Sequence, residues 1–117
     1  MKIQRIMEIL EAEILCCGDR LGSEVLTACG SDMMSDVLAF VKDQSVMLSG
    51  LVNPQVIRTA EMMDMLCVVF VRGKKPTGDI LKLAEESGIC VLSTRHTMFT
   101  ACGMLYEAGL RGGPNKK

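Results

Sequence analysis

Apolar and polar positions along this chain follow two different periods, and the switches between them outline its architecture. Three short apolar runs, Ser45–Ser49, Leu66–Val71 and Ile89–Ser93, each stop at small or charged residues and then pass into a stretch with apolar residues at helical spacing. The junctions are Gly50-Leu51-Val52-Asn53-Pro54, Arg72-Gly73-Lys74-Lys75-Pro76-Thr77 and Thr94-Arg95-His96-Thr97. The runs begin 21 and 23 residues apart, which suits a strand, a crossover helix and a return to the same sheet. The pattern predicts an α/β fold, a compact three-layer module with a mostly parallel central sheet. Its strand-end loops should gather along one edge, where such folds bind ligands.

The remaining segments fit around that core. Ile3, Ile6, Met7 and Leu10 predict an amphipathic helix over 3–11, followed by a brief strand at Ile14–Cys17 and the turn Gly18-Asp19-Arg20-Leu21-Gly22. Glu24–Cys29 reads as another strand, and Ser31 or Asp32 as the cap of a helix with the stripe Met34, Val37, Leu38 and Val41. In the repeating units, Asn53 is placed as N-cap with Pro54 as first helical residue, and the helix shows Val56, Ile57, Ala60 and Met63 on one side. Thr77 and Thr97 are placed to cap the next two helices. Their expected inward faces are Ile80, Leu81 and Ala84, then Met98, Phe99, Ala101, Cys102 and Leu105. Residues 1–110 read as a single domain and 111–117 as a flexible tail.

Composition narrows the function classes. Among 117 residues, hydrophobic types make up 49% and charged types 23%, enough for a packed core. Aromatics are only 3% and the net charge is −1, so the chain has neither the rings nor the field expected of a nucleic-acid binder. The first 60 residues carry five Lys/Arg against eight Asp/Glu, and the rest eight against six. No apolar stretch reaches the ~20 residues that span a bilayer, and the charged N-terminal segment does not resemble a signal peptide. A cytoplasmic location is therefore expected, with no membrane partner. The six cysteines then read as small buried hydrophobes rather than disulfides.

No Gly-x-Gly-x-x-Gly, Walker loop, zinc dyad or nucleophile elbow occurs. Gly50 and Asn53 stand between a strand end and a helix start, where orphan N–H groups can hold an anion. Arg72, Gly73, Lys74 and Lys75 follow the central run, and Thr94, Arg95, His96 and Thr97 the last one. If their strands are neighbours, Arg72, Lys74, Lys75, Arg95 and His96 should line one basic rim suited to phosphate or carboxylate. Gly18-Asp19-Arg20 is a weaker, turn-like candidate. His96 has no carboxylate or cysteine close in sequence, so neither metal binding nor general-base work is expected of it. Cys16 and Cys17 should point to opposite faces of a strand and make a poor redox pair. No metal, cofactor or catalytic residue is expected.

The order of elements resembles the DRTGG domain, a small α/β module similar to the N-terminal domain of HPr kinase/phosphorylase. The resemblance runs from about Ile3 to Leu110. It is carried by the opening helix with Ala12-Glu13-Ile14-Leu15, by Val46-Met47-Leu48-Ser49-Gly50, by Leu83-Ala84-Glu85-Glu86-Ser87-Gly88-Ile89-Cys90-Val91-Leu92-Ser93-Thr94 and by His96-Thr97-Met98-Phe99-Thr100. The string that names the family is not contiguous here. Gly18-Asp19-Arg20 and Pro76-Thr77-Gly78-Asp79 are fragments of it, and Leu51-Val52-Asn53-Pro54 stands where many relatives have a Gly-Asp-Arg turn. The resemblance implies a non-catalytic accessory domain that self-associates, with adenine nucleotide in fused relatives recognised mostly by companion domains. Together with the basic rim of Arg72, Lys74, Lys75 and Arg95 it gives the expectation of a regulatory or adaptor domain that forms homodimers and senses an anionic small molecule such as an adenine nucleotide. Two alternatives stand beside it, the first suggested by the resemblance and the second weighed from the residues alone. One is an accessory factor for a redox enzyme of the iron-only hydrogenase type in anaerobic bacteria, acting through a protein partner. The other, less favoured, is a small phosphate-transfer enzyme.

Overall fold

The computed structural model describes residues 1–40 and 44–112, with only the backbone of Phe40. In chain order the elements are α1 (Ile3–Leu10), β1 (Glu13–Cys16), a 3-10 turn (Gly18–Arg20), β2 (Thr27–Gly30), α2 (Met34–Phe40), β3 (Ser45–Ser49), α3 (Pro54–Met62), β4 (Cys67–Phe70), α4 (Gly78–Ser87), β5 (Cys90–Ser93) and α5 (Met98–Glu107). The strands form one sheet in the order β1-β5-β4-β3-β2. β2 to β5 are parallel, whereas β1 lies antiparallel on β5, with an irregularity between Ile14 and Cys16. The sheet is thus mixed but mostly parallel, and helices cover both faces.

Burial follows from that layering. Every residue of β3, β4 and β5 is buried, as expected of strands sandwiched between helices. Ile3, Ile6 and Leu10 of α1 and Ala101 and Leu105 of α5 pack with Val46, Leu48, Cys67, Val69 and Leu92 on one face. On the other face Val37 of α2, Val56, Ile57 and Ala60 of α3, and Ile80 and Ala84 of α4 close over Met47, Val68, Phe70 and Val91. Because strand order advances one way from β2 to β5, the three crossover helices share a face. α5 follows the last strand and crosses to the opposite face beside α1. The N-terminus of α5 and the loops leading into α2, α3 and α4 therefore flank the carboxyl ends of the strands from two sides, and a crevice opens between them.

Several local expectations are corrected. β2 starts at Thr27 rather than Glu24, because the N–H groups of Val25 and Leu26 donate to the carbonyls of Met1 and Gln44 and not to a strand ladder. In α2, Met34 and Val37 are buried but Leu38 is exposed, and Val41 lies outside the described residues. Phe99 does not face the core: it is 89% exposed. Arg111 is anchored, its carbonyl accepting from the Ala28 N–H at 3.0 Å and its guanidinium lying 3.8 Å from the centroid of the Tyr106 ring; residues 113–117 of the expected tail lie outside the described residues.

The caps are mixed. Asn53 Oδ1 accepts from the Gln55 N–H at 2.8 Å, and Thr97 Oγ1 accepts from the Thr100 N–H at 3.4 Å. Thr77 holds the N-cap position of α4 without a side-chain bond. At the other end of α4, Gly88 takes a left-handed φ of 71° and donates its N–H to the last-turn carbonyls of Ala84 and Glu85. A Cβ there would come within 3.0 Å of the Arg20 guanidinium. Gly88→Ala is therefore expected to cost about 1–2 kcal/mol. Calorimetry should show this as a melting temperature lowered by roughly 5 °C or more.

Candidate functional site

The crevice is built from four loops at the carboxyl edge of the sheet. Its hinge is Arg72-Gly73, where both residues adopt left-handed φ values, 60° and 69°. That bend turns their N–H groups toward the β5–α5 junction, donating to the His96 and Thr94 carbonyls at 2.8 Å each. The buried Thr94 hydroxyl in turn donates to the Leu10 carbonyl at 2.7 Å, tying the junction to the end of α1. The end of β4 is thus held firmly, while the side chains beyond it diverge.

The single basic rim expected from the sequence is split in two. Arg72 lies over Gly50, close enough that a Cβ on Gly50 would meet the guanidinium at 2.9 Å. It faces a cleft of about 470 Å³ bounded by Ser31, Asp32, Gly50, Val71 and Thr97 to Phe99. Gly73, Lys75, Arg95 and His96 face a second cleft of about 650 Å³, where Glu11 and Glu13 stand opposite them. Lys75 Nζ pairs with Glu13 Oε1 at 2.7 Å, and His96 Nε2 sits 3.4 Å from Glu11 Oε1. His96 has no carboxylate close in sequence, but the fold brings one to it from the end of the helix that opens the chain. A free anion is less well served in this second cleft, because Lys75 and His96 already face carboxylates and, among the described residues, Arg95 alone of its cations is in no ion pair.

In the first cleft the geometry differs. Asp32 does not cap α2; its Oδ1 accepts from the Gly50 N–H at 2.7 Å and from the Ser49 hydroxyl at 3.0 Å. The turn after β3 is thereby latched to the turn after β2, and the Gly50 N–H is not available to a ligand. Ser31 makes the local turn at the start of α2, its Oγ accepting from the Met33 N–H at 2.9 Å. Among the described residues no carboxylate lies within ion-pair distance of Arg72, which is exposed. Phe99 stands beside it at the start of α5 with its ring in solvent.

The other sequence candidates fall as follows. Asn53 is occupied as a cap. Lys74 lines neither cleft, and its carbonyl accepts from the Ser93 hydroxyl at 2.8 Å. Thr94 is a structural tie, whereas Thr97 both starts α5 and borders the Arg72 cleft. Gly18, Asp19 and Arg20 follow the antiparallel strand β1, so they lie at the opposite edge of the sheet, with Arg20 at the end of α4. Asp32 and Phe99 are the parts of the cleft that sequence reasoning misassigned, one as a cap and the other as core. A helix face drawn from Met98, Phe99, Ala101, Cys102 and Leu105 is too wide for one buried stripe, and that width was the available signal.

All six cysteines are free thiols: Cys16, Cys67 and Cys90 are buried as expected, whereas Cys17, Cys29 and Cys102 are only half-buried. Burial pushes the Cys29 thiol up to about 11, with the neighbouring Cys102 adding to the effect. Burial, with the hydrogen bond shared with Cys17 next, pushes Cys16 up to about 12. The unfolded chain ionises these thiols near their ordinary value of 9.0, so this contribution is fully present below pH 9.0 and is lost as pH rises toward 11–12. Melting temperature should accordingly fall between pH 9 and 11, by less in Cys29→Ala than in the parent chain. Among the described residues no cluster of His, Cys, Asp or Glu is arranged to hold a metal, and no helix is long and apolar enough to cross a membrane.

Comparison with known proteins agrees with this architecture. The family model for the DRTGG domain matches residues 5–108. Among solved structures, the chain is similar to the CBS and DRTGG domains of the regulatory region of Clostridium perfringens pyrophosphatase, complexed with the activator diadenosine tetraphosphate. The TM-score is 0.72 at 19% identity, and the match covers 89% of this chain and 45% of that one. No curated protein matches.

Proposed function

Since the chain belongs to the DRTGG domain family, we propose that it is a non-catalytic regulatory module that takes a phosphate-bearing adenine nucleotide in the Arg72 cleft and passes that state on through self-association. The observation that carries this reading is the pairing of an uncompensated guanidinium with an exposed aromatic ring in one cleft of about 470 Å³. A guanidinium presents a planar fork of donors that matches phosphate oxygens, and a ring 89% exposed offers a face for one base. The similar pyrophosphatase region was crystallised with a dinucleotide activator, which supports the choice of ligand class. A cytoplasmic setting suits such a ligand, and the fold likeness to the N-terminal domain of HPr kinase/phosphorylase belongs to the same reading.

Self-association is assigned to α5. Met98, Phe99, Cys102, Gly103 and Tyr106 form a continuous apolar strip on its outer side. Gly103 sits in the helix interior, where glycine is unfavourable, yet a Cβ there would meet nothing within 4 Å of its own chain. Close approach of a second copy accounts for a glycine at that place. A dimer formed through this strip has the Arg72 cleft at its rim, so ligand and subunit contacts share Phe99. Titration calorimetry with AMP, ATP, diadenosine tetraphosphate and inorganic phosphate tests the ligand assignment. Heat and a raised melting temperature with the nucleotides are expected; neither signal with any of the four overturns it.

A further inference from the structure

β1 ends at Cys16, and the next residue leaves the strand in a left-handed conformation, with φ 59° and ψ 50° at Cys17. Neighbours within a strand point to opposite faces. The left-handed turn breaks that alternation and brings Cys17 Sγ to 3.3 Å from Cys16 Sγ. Both sulfurs sit over α4, with Cys16 Sγ 3.7 Å from the Leu81 carbonyl and Cys17 Sγ 4.0 Å from the Ala84 carbonyl. Such S–H contacts are weak, whereas the left-handed turn costs a residue with a Cβ about 1–2 kcal/mol. β1 is an edge strand and Cys17 is only half-buried, so the pair is reached from solvent.

We propose that Cys16 and Cys17 form a dithiol site for trivalent arsenicals. A trivalent arsenic centre is soft, favours thiol sulfur over oxygen or nitrogen, and binds two sulfurs at adjacent corners of a pyramid. Two sulfurs already in van der Waals contact meet that demand without moving the backbone. With an arsonous acid, R–As(OH)2, two As–O bonds break and two As–S bonds form. Each thiol proton leaves with a hydroxide as water, and arsenic remains trivalent, so nothing is oxidised or reduced. The raised Cys16 pKa keeps that thiol protonated and slow toward disulfide reagents, whose exchange needs thiolate. The condensation instead carries each proton away in the leaving water. Closing the second bond is intramolecular, so the pair should hold the arsenical far better than any single thiol. Cys67 and Cys90 also face each other across adjacent strands, but both are fully buried.

The test is intact-mass spectrometry of the natively folded full chain after phenylarsine oxide. One phenylarsenic group per chain is expected, removed by ethane-1,2-dithiol but not by a monothiol, and retained in Cys29→Ser and Cys102→Ser. Cys17→Ser should lower apparent affinity by roughly tenfold or more, since one anchor is lost. Cys17 is half-buried, so this variant decides the matter even if Cys16→Ala fails to fold. No adduct on the folded chain, or an adduct of undiminished affinity in Cys17→Ser, overturns the proposal.

Discussion

Replacing Arg72 by glycine should weaken nucleotide binding roughly 10- to 100-fold while leaving the fold as stable as before or more so. The two halves of that result have separate causes. Charge-assisted hydrogen bonds from a guanidinium to phosphate are each worth about 1.5–3 kcal/mol, which corresponds to the stated range in dissociation constant. Arg72 itself sits at φ 60°, a conformation that costs a non-glycine residue about 1–2 kcal/mol and that glycine adopts without steric penalty. Glycine gives back part of this gain through the extra freedom of the unfolded chain, so the expected change in stability is between zero and about +1 kcal/mol. Calorimetry of binding and differential scanning of the same sample read both effects. Arg72→Lys keeps the charge but loses the planar fork and should fall between parent and glycine variant. A glycine variant that binds as the parent does removes Arg72 from the site.

The second large effect is expected at Gly103. Gly103→Arg should convert a dimer into a chain of 12.7 kDa while raising the melting temperature of the isolated fold. Arginine is the better helix former by somewhat under ~1 kcal/mol, and a Cβ at this position meets nothing within its own subunit. Against a second copy the same side chain puts a charge into the apolar strip between Phe99 and Tyr106, where no described carboxylate lines the strip to receive it. Light scattering at micromolar concentration checks this. A parent chain already of 12.7 kDa sinks the dimer. A dimer that survives the substitution moves the interface elsewhere. Binding by the monomeric variant separates the ligand proposal from the dimer proposal, because Arg72 and Asp32 are untouched by it.

Much of the fold is written in local patterns. The buried strands β3, β4 and β5 show as apolar runs because both their faces meet helices, and α3 shows its start through Asn53 and Pro54, a cap and a first-turn residue that act within one turn. Gly88 likewise marks the end of α4 through its own left-handed φ. Elsewhere local pattern misled. Val25 and Leu26 look like strand residues but are buried or bonded through Met1 and Gln44, which no local window contains. Asp32 looks like a cap, and its carboxylate finds Gly50 and Ser49 because β2 and β3 happen to be parallel neighbours.

The candidate site divides in the same way. From the chain alone come the parallel α/β core, the gathering of loop residues at one edge, the resemblance to the DRTGG domain and the absence of any catalytic motif. These depend on the spacing of apolar residues and on residue type, which act over a few positions. Tertiary structure alone decided which cations are available to a ligand. Placing β1 antiparallel on the far side of β5 brings Glu11 and Glu13 against His96 and Lys75, and the bend at Arg72-Gly73 sends Arg72 the other way, over Gly50. Charges adjacent in sequence were parted, and charges more than 60 positions apart were joined. The reason is geometric: position along the chain tells where a loop ends, but strand order and backbone handedness tell which side of the sheet edge its side chains reach.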